Sequence, residues 1–119
     1  ISQTDFAQNL YMSPREVRLL VKAGMYVGSH GVNHLWLSKQ EKYSQKEEIN
    51  KSLEFLSSIG ARTYDWIMCY PYGDYNQDTI DLLFESNCAV GITVKAAKAD
   101  LKVHDPLKLP RFDTNDFPQ

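Results

Sequence analysis

The chain has 119 residues and a formal net charge of −2 at pH 7, a length that suits a single domain with one modest hydrophobic core. Hydrophobic residues make up 43% and charged residues 24%, which excludes a disordered, collagen-like or disulfide-dense chain. Without a basic cluster, this charge gives no electrostatic reason to expect nucleic acid or an anionic membrane surface as a partner.

Three further features of the sequence bear on the compartment. Cys69 and Cys88 stand in apolar surroundings and are predicted to be buried free thiols, since two cysteines define no disulfide framework. No run of about 20 apolar residues predicts a membrane segment. The chain does not begin with methionine, which is compatible with a processed product that has lost a targeting segment, so the compartment stays open.

The first clear element is a helix in "MSPREVRLLVKAG". Ser13 is a suitable N-cap, Pro14 suits the first helical position, and Glu16 completes a capping box. Gly24 is placed to end the helix in the left-handed conformation. The apolar run "MYVGSH" that follows is predicted to be a buried strand that ends at His30.

The same order of elements repeats twice. A helix is predicted in "SQKEEINKSLEFLSSIG", with a capping box of Ser44 and Glu47 and a stop at Gly60. The polar run "KQEKYSQKEE", which overlaps its start, is interpreted as a solvated helix surface. The strand "DWIMCY" and the turn "PYGDYN" come next. A third helix, "QDTIDLLFESN", is capped by Asn76 and leads to the strand "CAVGITV", and from Lys95 onward the chain is loop-like.

Strands that are continuous apolar runs between amphipathic helices predict an α/β fold, in which a parallel sheet is covered by helices. Functional residues in such folds gather at the carboxyl ends of the strands. His30 closes one predicted strand and "PYG" closes the next. We therefore expect both groups at one edge of the sheet, as parts of one active site.

His30 and His34 stand four residues apart, and Gly31 lets the backbone turn sharply between them. Neutral imidazole is a good ligand for zinc and similar divalent metals. The alternative is one packed histidine and one exposed histidine with no common role. A complete metal site also needs a third protein ligand, usually a carboxylate, and an open position for water.

The segment "CYPYGDYN" has its own two interpretations. Pro71 fixes the backbone, Tyr72 presents a ring and a backbone N–H, and Gly73 permits a tight turn. Taken alone, the segment is an ordinary turn between a strand and a helix. About 40 residues after the histidine pair, in a succession of strands and helices, it has a more specific meaning.

The two segments together resemble the polysaccharide deacetylases, carbohydrate esterase family 4, which carry the NodB-homology domain. "LVKAGMYVGSHGVNHLWLS" is similar to the family's second motif in its context of helix, glycine, strand and S-H-[ST]-x-x-H. "IMCYPYGDYNQDTIDLLFESNCAVGITV" is similar to the third motif with the helix and strand that follow it, and "DPLKLPRFD" to a later segment. The resemblance covers most of residues 14 to 113.

This resemblance implies a portion of a distorted (β/α) barrel, TIM-barrel-like, that removes acetyl groups from N- or O-acetylated sugars. It implies a divalent metal, most often zinc, held by one Asp and two His, with a second Asp as general base. His30 and His34 match the metal ligands. Tyr72 matches the residue whose backbone N–H helps hold the oxyanion, and Pro71 shapes that turn. Tyr70 and Tyr72 are expected to line a sugar-binding groove.

The chain also departs from the family pattern. The first motif, T-F-D-D-G, which supplies the third metal ligand and the base, is absent, and "QTDF" is not mapped onto it. The L-x-H motif of the general acid is missing as well, and His104 lacks its context. Gly31 stands where a loop-bracing Ser or Thr is usual, and Cys69 where an Arg usually pairs with the base. Arg111 either supplies a guanidinium to the substrate groove or lies at its rim.

We therefore predict that residues 1–119 are a single, incomplete deacetylase domain that lacks its N-terminal part. An unpaired strand edge and exposed apolar surface would favour a homo-oligomer. The leading hypothesis is a metal-dependent hydrolase acting on an acetylated bacterial polysaccharide or sugar. The alternatives are a catalytically inactive carbohydrate-binding or scaffold domain of the same fold, and an unrelated α/β domain. The periplasm, the cell surface and cytoplasmic glycan assembly all remain open as locations.

Overall fold

Helices and two short strands account for the regular structure of residues 1–118, which the computed structural model describes. The elements are α1 (Gln3–Leu10), α2 (Pro14–Lys22), α3 (Lys42–Ser58), β1 (Trp66–Cys69), α4 (Gln77–Glu85) and β2 (Cys88–Ile92). Single 3₁₀ turns cover Leu37–Lys39, Pro71–Gly73, Pro106–Lys108 and Thr114–Asp116. None of the helices described for residues 1–118 combines the length and the apolar character that a membrane span requires.

The strands β1 and β2 pair in parallel, and α4 connects them as a crossover helix. Isolated parallel bridges extend this pair on both sides, from Ser29 to Met68 and from Leu109 to Ile92. Four segments thus lie side by side in the order Ser29, β1, β2, Leu109. The predicted α/β class, with parallel strands covered by helices, is confirmed, while closure into a barrel stays a prediction.

The hydrophobic core lies between this sheet and the helices α3 and α4. Trp66 and Met68 of β1 are buried, whereas Ile67 and Cys69, which alternate with them, are half-buried. The buried members of the core are Leu37, Ile49, Trp66, Met68, Tyr70, Ile80, Leu82, Leu83 and Leu107. Because the buried face of the sheet and these helices are fixed by packing, the strand ends that carry the polar motifs are fixed with them.

Local sequence signals predict most helix ends correctly. The Ser13 hydroxyl accepts from the Glu16 N–H at 3.2 Å, and the Glu16 carboxylate accepts from the Ser13 N–H at 2.7 Å, so the first predicted capping box is confirmed. Gly24 ends that helix with φ +89°, and Asn76 caps α4. The second predicted box is wrong, because α3 begins at Lys42 and Ser44 lies within its first turn.

Two predicted segments differ from the structure. The run "MYVGSH" is not a full strand, since only Ser29 forms a bridge, and Met25 and Tyr26 before it are largely exposed. The segment after Lys95 is not wholly loop-like. Leu109 joins the sheet there, and its N–H donates to the Gly91 carbonyl at 2.9 Å.

The amino-terminal helices are largely exposed. Helix α1, which the sequence did not predict, begins at the Ser2 cap, and neither α1 nor α2 buries any residue. Leu10 and Leu19 are more than half exposed. Exposed apolar surface of this kind favours self-association. A homo-oligomer stays a prediction. Cys69 and Cys88 are free thiols, each half-buried rather than buried as predicted.

Candidate active site

The rings of His30 and His34 lie against each other at the edge of the sheet, with centroids 4.7 Å apart and planes at 68°. Both side chains are exposed. The loop that joins them is not helical, since Gly31 has φ +77° and His34 has φ +52°. The structure therefore brings the two predicted ligands together through a loop in which Gly31 and His34 both have left-handed backbone conformations.

One ring nitrogen of His30 is already engaged. Its Nδ1 lies 2.7 Å from the carbonyl oxygen of Cys69, at the end of β1. Because a carbonyl can only accept, Nδ1 is the donor, and in a neutral imidazole Nε2 then keeps its lone pair. Histidine ligands of metals are commonly oriented in this way by a hydrogen bond from the other ring nitrogen. The Nε2 atom of His30 is therefore available to bind a divalent cation.

The "PYG" segment forms a tight 3₁₀ turn directly after β1. Tyr72 has φ +59° and Gly73 has φ +68°, and the Gly73 N–H donates to the Tyr70 carbonyl at 2.8 Å. The predicted tight turn is confirmed. Pro71 is buried inside it, whereas the Tyr72 ring is 48% exposed at its tip.

Aromatic rings join the two motifs into one surface. The Tyr72 ring contacts His34 edge to face, with centroids 4.6 Å apart. The indole of Trp36 stacks on the Tyr72 ring, with the ring centroids 4.0 Å apart and the ring planes at 4°. We call the rings of His30, His34, Tyr72 and Trp36 the aromatic strip. Sequence reasoning missed Trp36, although a tryptophan two residues after His34 was a visible signal.

A polar clamp fixes the "PYG" turn relative to the segment after the histidines. The carboxylate of Asp74 accepts from both the N–H and the hydroxyl of Ser38, each at 2.8 Å. Nearby, the buried Gln45 amide donates to Asn76 at 3.1 Å and accepts from the Thr79 hydroxyl at 2.5 Å. These bonds tie the segments that carry the two motifs to each other and to α4.

The structure places Tyr70 in the core rather than on the aromatic strip. Its side chain is 1% exposed, and its hydroxyl donates to the Leu107 carbonyl at 2.6 Å. Burial raises the pKa of the Tyr70 hydroxyl well above its ordinary value, so the group stays a neutral donor. In the described chain, Tyr70 thus supports the turn from beneath and offers no surface to a sugar.

Arg111 and Cys69 line one cleft with His30. This cleft, of about 470 Å³, is bounded by Tyr26, Gly28, Ser29, His30, Ile67, Cys69 and Arg111. Arg111 is exposed, and its Nε donates to the Thr93 carbonyl at 3.1 Å. The structure therefore brings a guanidinium to the cleft in which Cys69 stands where the family pattern has an Arg.

Other candidate groups lie apart from this arrangement. The ring of His104 accepts from the Asp100 N–H at 2.9 Å, in a local turn. The carboxylate of Asp5 accepts from the Ser2 hydroxyl at 2.7 Å at the start of α1. Within residues 1–118, no three His, Cys, Asp or Glu side chains form a group that could hold a metal ion.

Comparisons with known proteins identify the family of the chain and its fold. A family model described as polysaccharide deacetylase matches residues 3–90, and no curated protein matched the chain in a sequence search. Among solved structures, the Streptococcus pyogenes deacetylase PplD in complex with acetate has a TM-score of 0.78 and 24% identity, over 91% of this chain and 47% of that chain.

Two further structures share the fold. The BpsB deacetylase domain from Bordetella bronchiseptica has a TM-score of 0.70 and 15% identity, over 85% of this chain and 48% of that one. A family 4 carbohydrate esterase from Streptomyces lividans in complex with acetate has a TM-score of 0.59 and 22% identity, over 73% of this chain and 42% of that one. The chain spans less than half of each of these structures, and it shares with them a part of the NodB-type fold.

Proposed function

This chain belongs to the polysaccharide deacetylase family, and we propose that it takes part in the metal-dependent removal of acetyl groups from an N- or O-acetylated bacterial polysaccharide or sugar. The observation that carries the proposal is the meeting of His30 and His34 with Tyr72 at the carboxyl edge of the sheet. Two candidate metal ligands and a candidate oxyanion donor, from separate motifs, thus stand side by side.

His30 and His34 are the two residues that would hold the metal, most simply zinc. The hydrogen bond from His30 Nδ1 to the Cys69 carbonyl supports this role, because it leaves Nε2 free for a ligand. When bound, a divalent ion supplies a Lewis acid that polarises an acetyl carbonyl and makes water a better nucleophile. The resemblance assigns the third ligand to an Asp of a motif that the chain does not contain.

The "PYG" turn would act on the reacting carbonyl. Pro71 and Gly73 hold Tyr72 in the left-handed region at the tip of the turn, so the direction of its backbone N–H is set by the fold. A fixed donor of this kind stabilises the oxyanion of a tetrahedral intermediate without reorganising during the reaction. Tyr72 is therefore the proposed backbone donor, and Pro71 the residue that shapes its turn.

The substrate would lie along the aromatic strip. Trp36 and Tyr72 are each about half exposed, at 49% and 48%, and together offer an apolar face of the kind on which a sugar ring packs. Arg111 brings positive charge to the cleft beside His30, where it would bind a polar group of the substrate or a carboxylate of the site. Tyr70 is buried and is left out of this surface.

A second candidate is a carbohydrate-binding or scaffold domain without catalysis. Cys69 favours it, since a thiol cannot supply the charge of an Arg that pairs with a general base. The stacked rings of Trp36 and Tyr72 would bind sugar with or without a metal.

Acetate release separates the two candidates. The full-length protein is incubated with zinc and either N-acetylchitopentaose or acetylated xylan, beside a His30→Ala variant. A deacetylase releases acetate from one of these substrates, and His30→Ala abolishes the release. A binding domain retains either glycan in affinity electrophoresis and releases no acetate, which would exclude the leading proposal for these substrates.

A further inference from the structure

Helix α3 turns a polar face towards the interior of the protein. Gln45, Glu48 and Ser52 are buried, and their spacing of three and four residues places them on one side of the helix. The sequence predicts that the polar run "KQEKYSQKEE" is a solvated surface, and that prediction is wrong for Gln45 and Glu48. Buried polar groups need partners, so this face must meet hydrogen-bonding groups of another segment.

Gln45 meets Asn76 and Thr79 on the side of α4. The partners of Glu48 lie in the loop that carries the histidines, residues 30–34, which we call the His loop. The Glu48 Oε2 accepts from the N–H groups of Val32 at 2.9 Å and Asn33 at 3.0 Å. The Glu48 Oε1 accepts from the side-chain amide of Asn33. One helical turn further, the Ser52 hydroxyl is hydrogen-bonded to the hydroxyl of Ser29, just before the loop.

The carboxylate of Glu48 is well suited to this place. The side chain is 5% exposed, and burial alone would raise its pKa. The amides of Asn33 and Val32 outweigh that effect and hold the pKa of Glu48 below its ordinary value. The group is therefore ionised at neutral pH, and a charged acceptor makes stronger hydrogen bonds than a neutral one.

Gly31 allows this close approach. A Cβ on Gly31 would lie 3.3 Å from the Glu48 Oε2 and 3.7 Å from Pro71 Cγ. With φ +77°, the residue also adopts a conformation that side chains rarely tolerate. Gly31 offers no hydroxyl to brace the loop, so the bracing comes from outside it, from α3.

We propose that Glu48 is a positioning residue that holds the His loop in the conformation in which His30 and His34 share one divalent cation. Its hydrogen bonds go to the backbone and side chain between the two histidines, and not to their rings. The expected effect of Glu48 on cation binding rests on the proposed metal site. The bracing of the loop itself rests on the hydrogen bonds alone.

The test compares Glu48→Gln with Glu54→Gln in the full-length protein. Both remove one charge from α3 at nearly constant volume, but Glu54 is exposed. The glutamine at position 48 puts an NH₂ group where a carboxylate oxygen accepts, so one hydrogen bond to the loop is lost. Zinc affinity is measured by competition with a chromophoric chelator, the Co²⁺ form by its visible spectrum, and loop opening by amide hydrogen exchange.

For Glu48→Gln we expect about 10-fold weaker zinc binding, changed Co²⁺ absorption bands and faster exchange at Val32 and Asn33. For Glu54→Gln we expect wild-type values in all three. A purely structural role would lower the melting temperature of the metal-free protein and leave the Co²⁺ spectrum unchanged. Zinc affinity within twofold of wild type, together with an unchanged spectrum, would overturn the inference.

Two further outcomes keep the tests separate. If Glu48→Gln does not fold, Asn33→Ala replaces it, because Asn33 is exposed and its side chain makes one of the loop contacts. Unchanged zinc affinity in that variant would then overturn the inference. If the wild-type protein binds no zinc, the proposed metal site fails, and the exchange rates at Val32 and Asn33 still test whether Glu48 braces the loop.

Discussion

The indole of Trp36 lies flat on the ring of Tyr72, with planes 4° apart and centroids separated by 4.0 Å. Trp36 comes from the segment after the His loop, and Tyr72 from the turn after β1, so the pair joins the two motifs. This pair of rings also lies close to His34, because the ring centroids of Tyr72 and His34 are 4.6 Å apart. A sugar that packs on this pair is held next to the proposed metal ligands.

Replacing Trp36 by Ala tests this surface. We expect a higher KM for the glycan by roughly fivefold, which corresponds to about 1 kcal/mol, with kcat much less affected. The expected loss is in binding because the ring lies beside the histidines and not among them. Phe84→Ala is the matched control, since Phe84 is an exposed aromatic side chain of α4. Equal KM values for Trp36→Ala and wild type would contradict the proposed sugar surface.

Arg111→Gln tests the guanidinium in the His30 cleft. We expect at least a tenfold fall in kcat/KM, because a charge-assisted contact is lost. Arg111→Lys should recover only part of this, since an ammonium cannot reproduce the planar geometry of a guanidinium. Arg62→Gln serves as a control, because Arg62 lies over the Tyr64 ring instead. Full activity of Arg111→Gln would place Arg111 at the rim, with no part in the reaction.

Tyr70→Phe tests the support beneath the "PYG" turn. It removes the hydroxyl that donates to the Leu107 carbonyl and leaves that oxygen without this donor. We expect a loss of about 1–2 kcal/mol in the free energy of unfolding, measured by urea denaturation. Tyr43→Phe, at an exposed site in α3, should change little. Equal losses in the two variants would show that the buried hydrogen bond contributes nothing specific.

Because burial raises the pKa of the Cys88 thiol, we expect the stability of the protein to fall at alkaline pH. Burial raises its pKa from 9.0 to about 11, despite hydrogen bonding to backbone groups that acts in the opposite direction. The folded state therefore keeps its proton at pH values where the unfolded state loses it. This contribution is complete below pH 9 and is lost as the pH rises through about 11.

Urea unfolding of wild type and Cys88→Ala between pH 8 and pH 10.5 measures this contribution. The stability of the wild type should fall more steeply with pH than that of the variant, because other alkaline groups are common to both. Parallel pH profiles would mean that burial does not shift the pKa of Cys88. Slow alkylation of Cys88 at pH 8 provides an independent check of the protonated thiol.

The sequence predicts those parts of the fold that depend on local chemistry. The capping box of Ser13 and Glu16, the cap at Asn76 and the stop at Gly60 all involve residues close in sequence, and the structure confirms them. The resemblance to the deacetylases is confirmed by the family match and by the shared fold. The adjacency of the His loop and the "PYG" turn follows from the parallel order of the strands.

What the sequence does not predict depends on contacts between distant segments. Glu48 stands in a run of charged and polar residues, and its buried carboxylate is satisfied by three donors of the His loop. Tyr70 neighbours the exposed Tyr72, and its burial depends on the carbonyl of Leu107, 37 residues away. Since neither environment is local, neither is readable from spacing or composition.

The central claim is that His30 and His34 bind one metal ion together. X-ray absorption at the zinc edge of the zinc-loaded full-length protein counts imidazole ligands directly. The account predicts two imidazoles in the wild type and one in His34→Ala, with acetate release lost in the variant. An unchanged imidazole count in His34→Ala, or zinc bound without imidazole in the wild type, would contradict it.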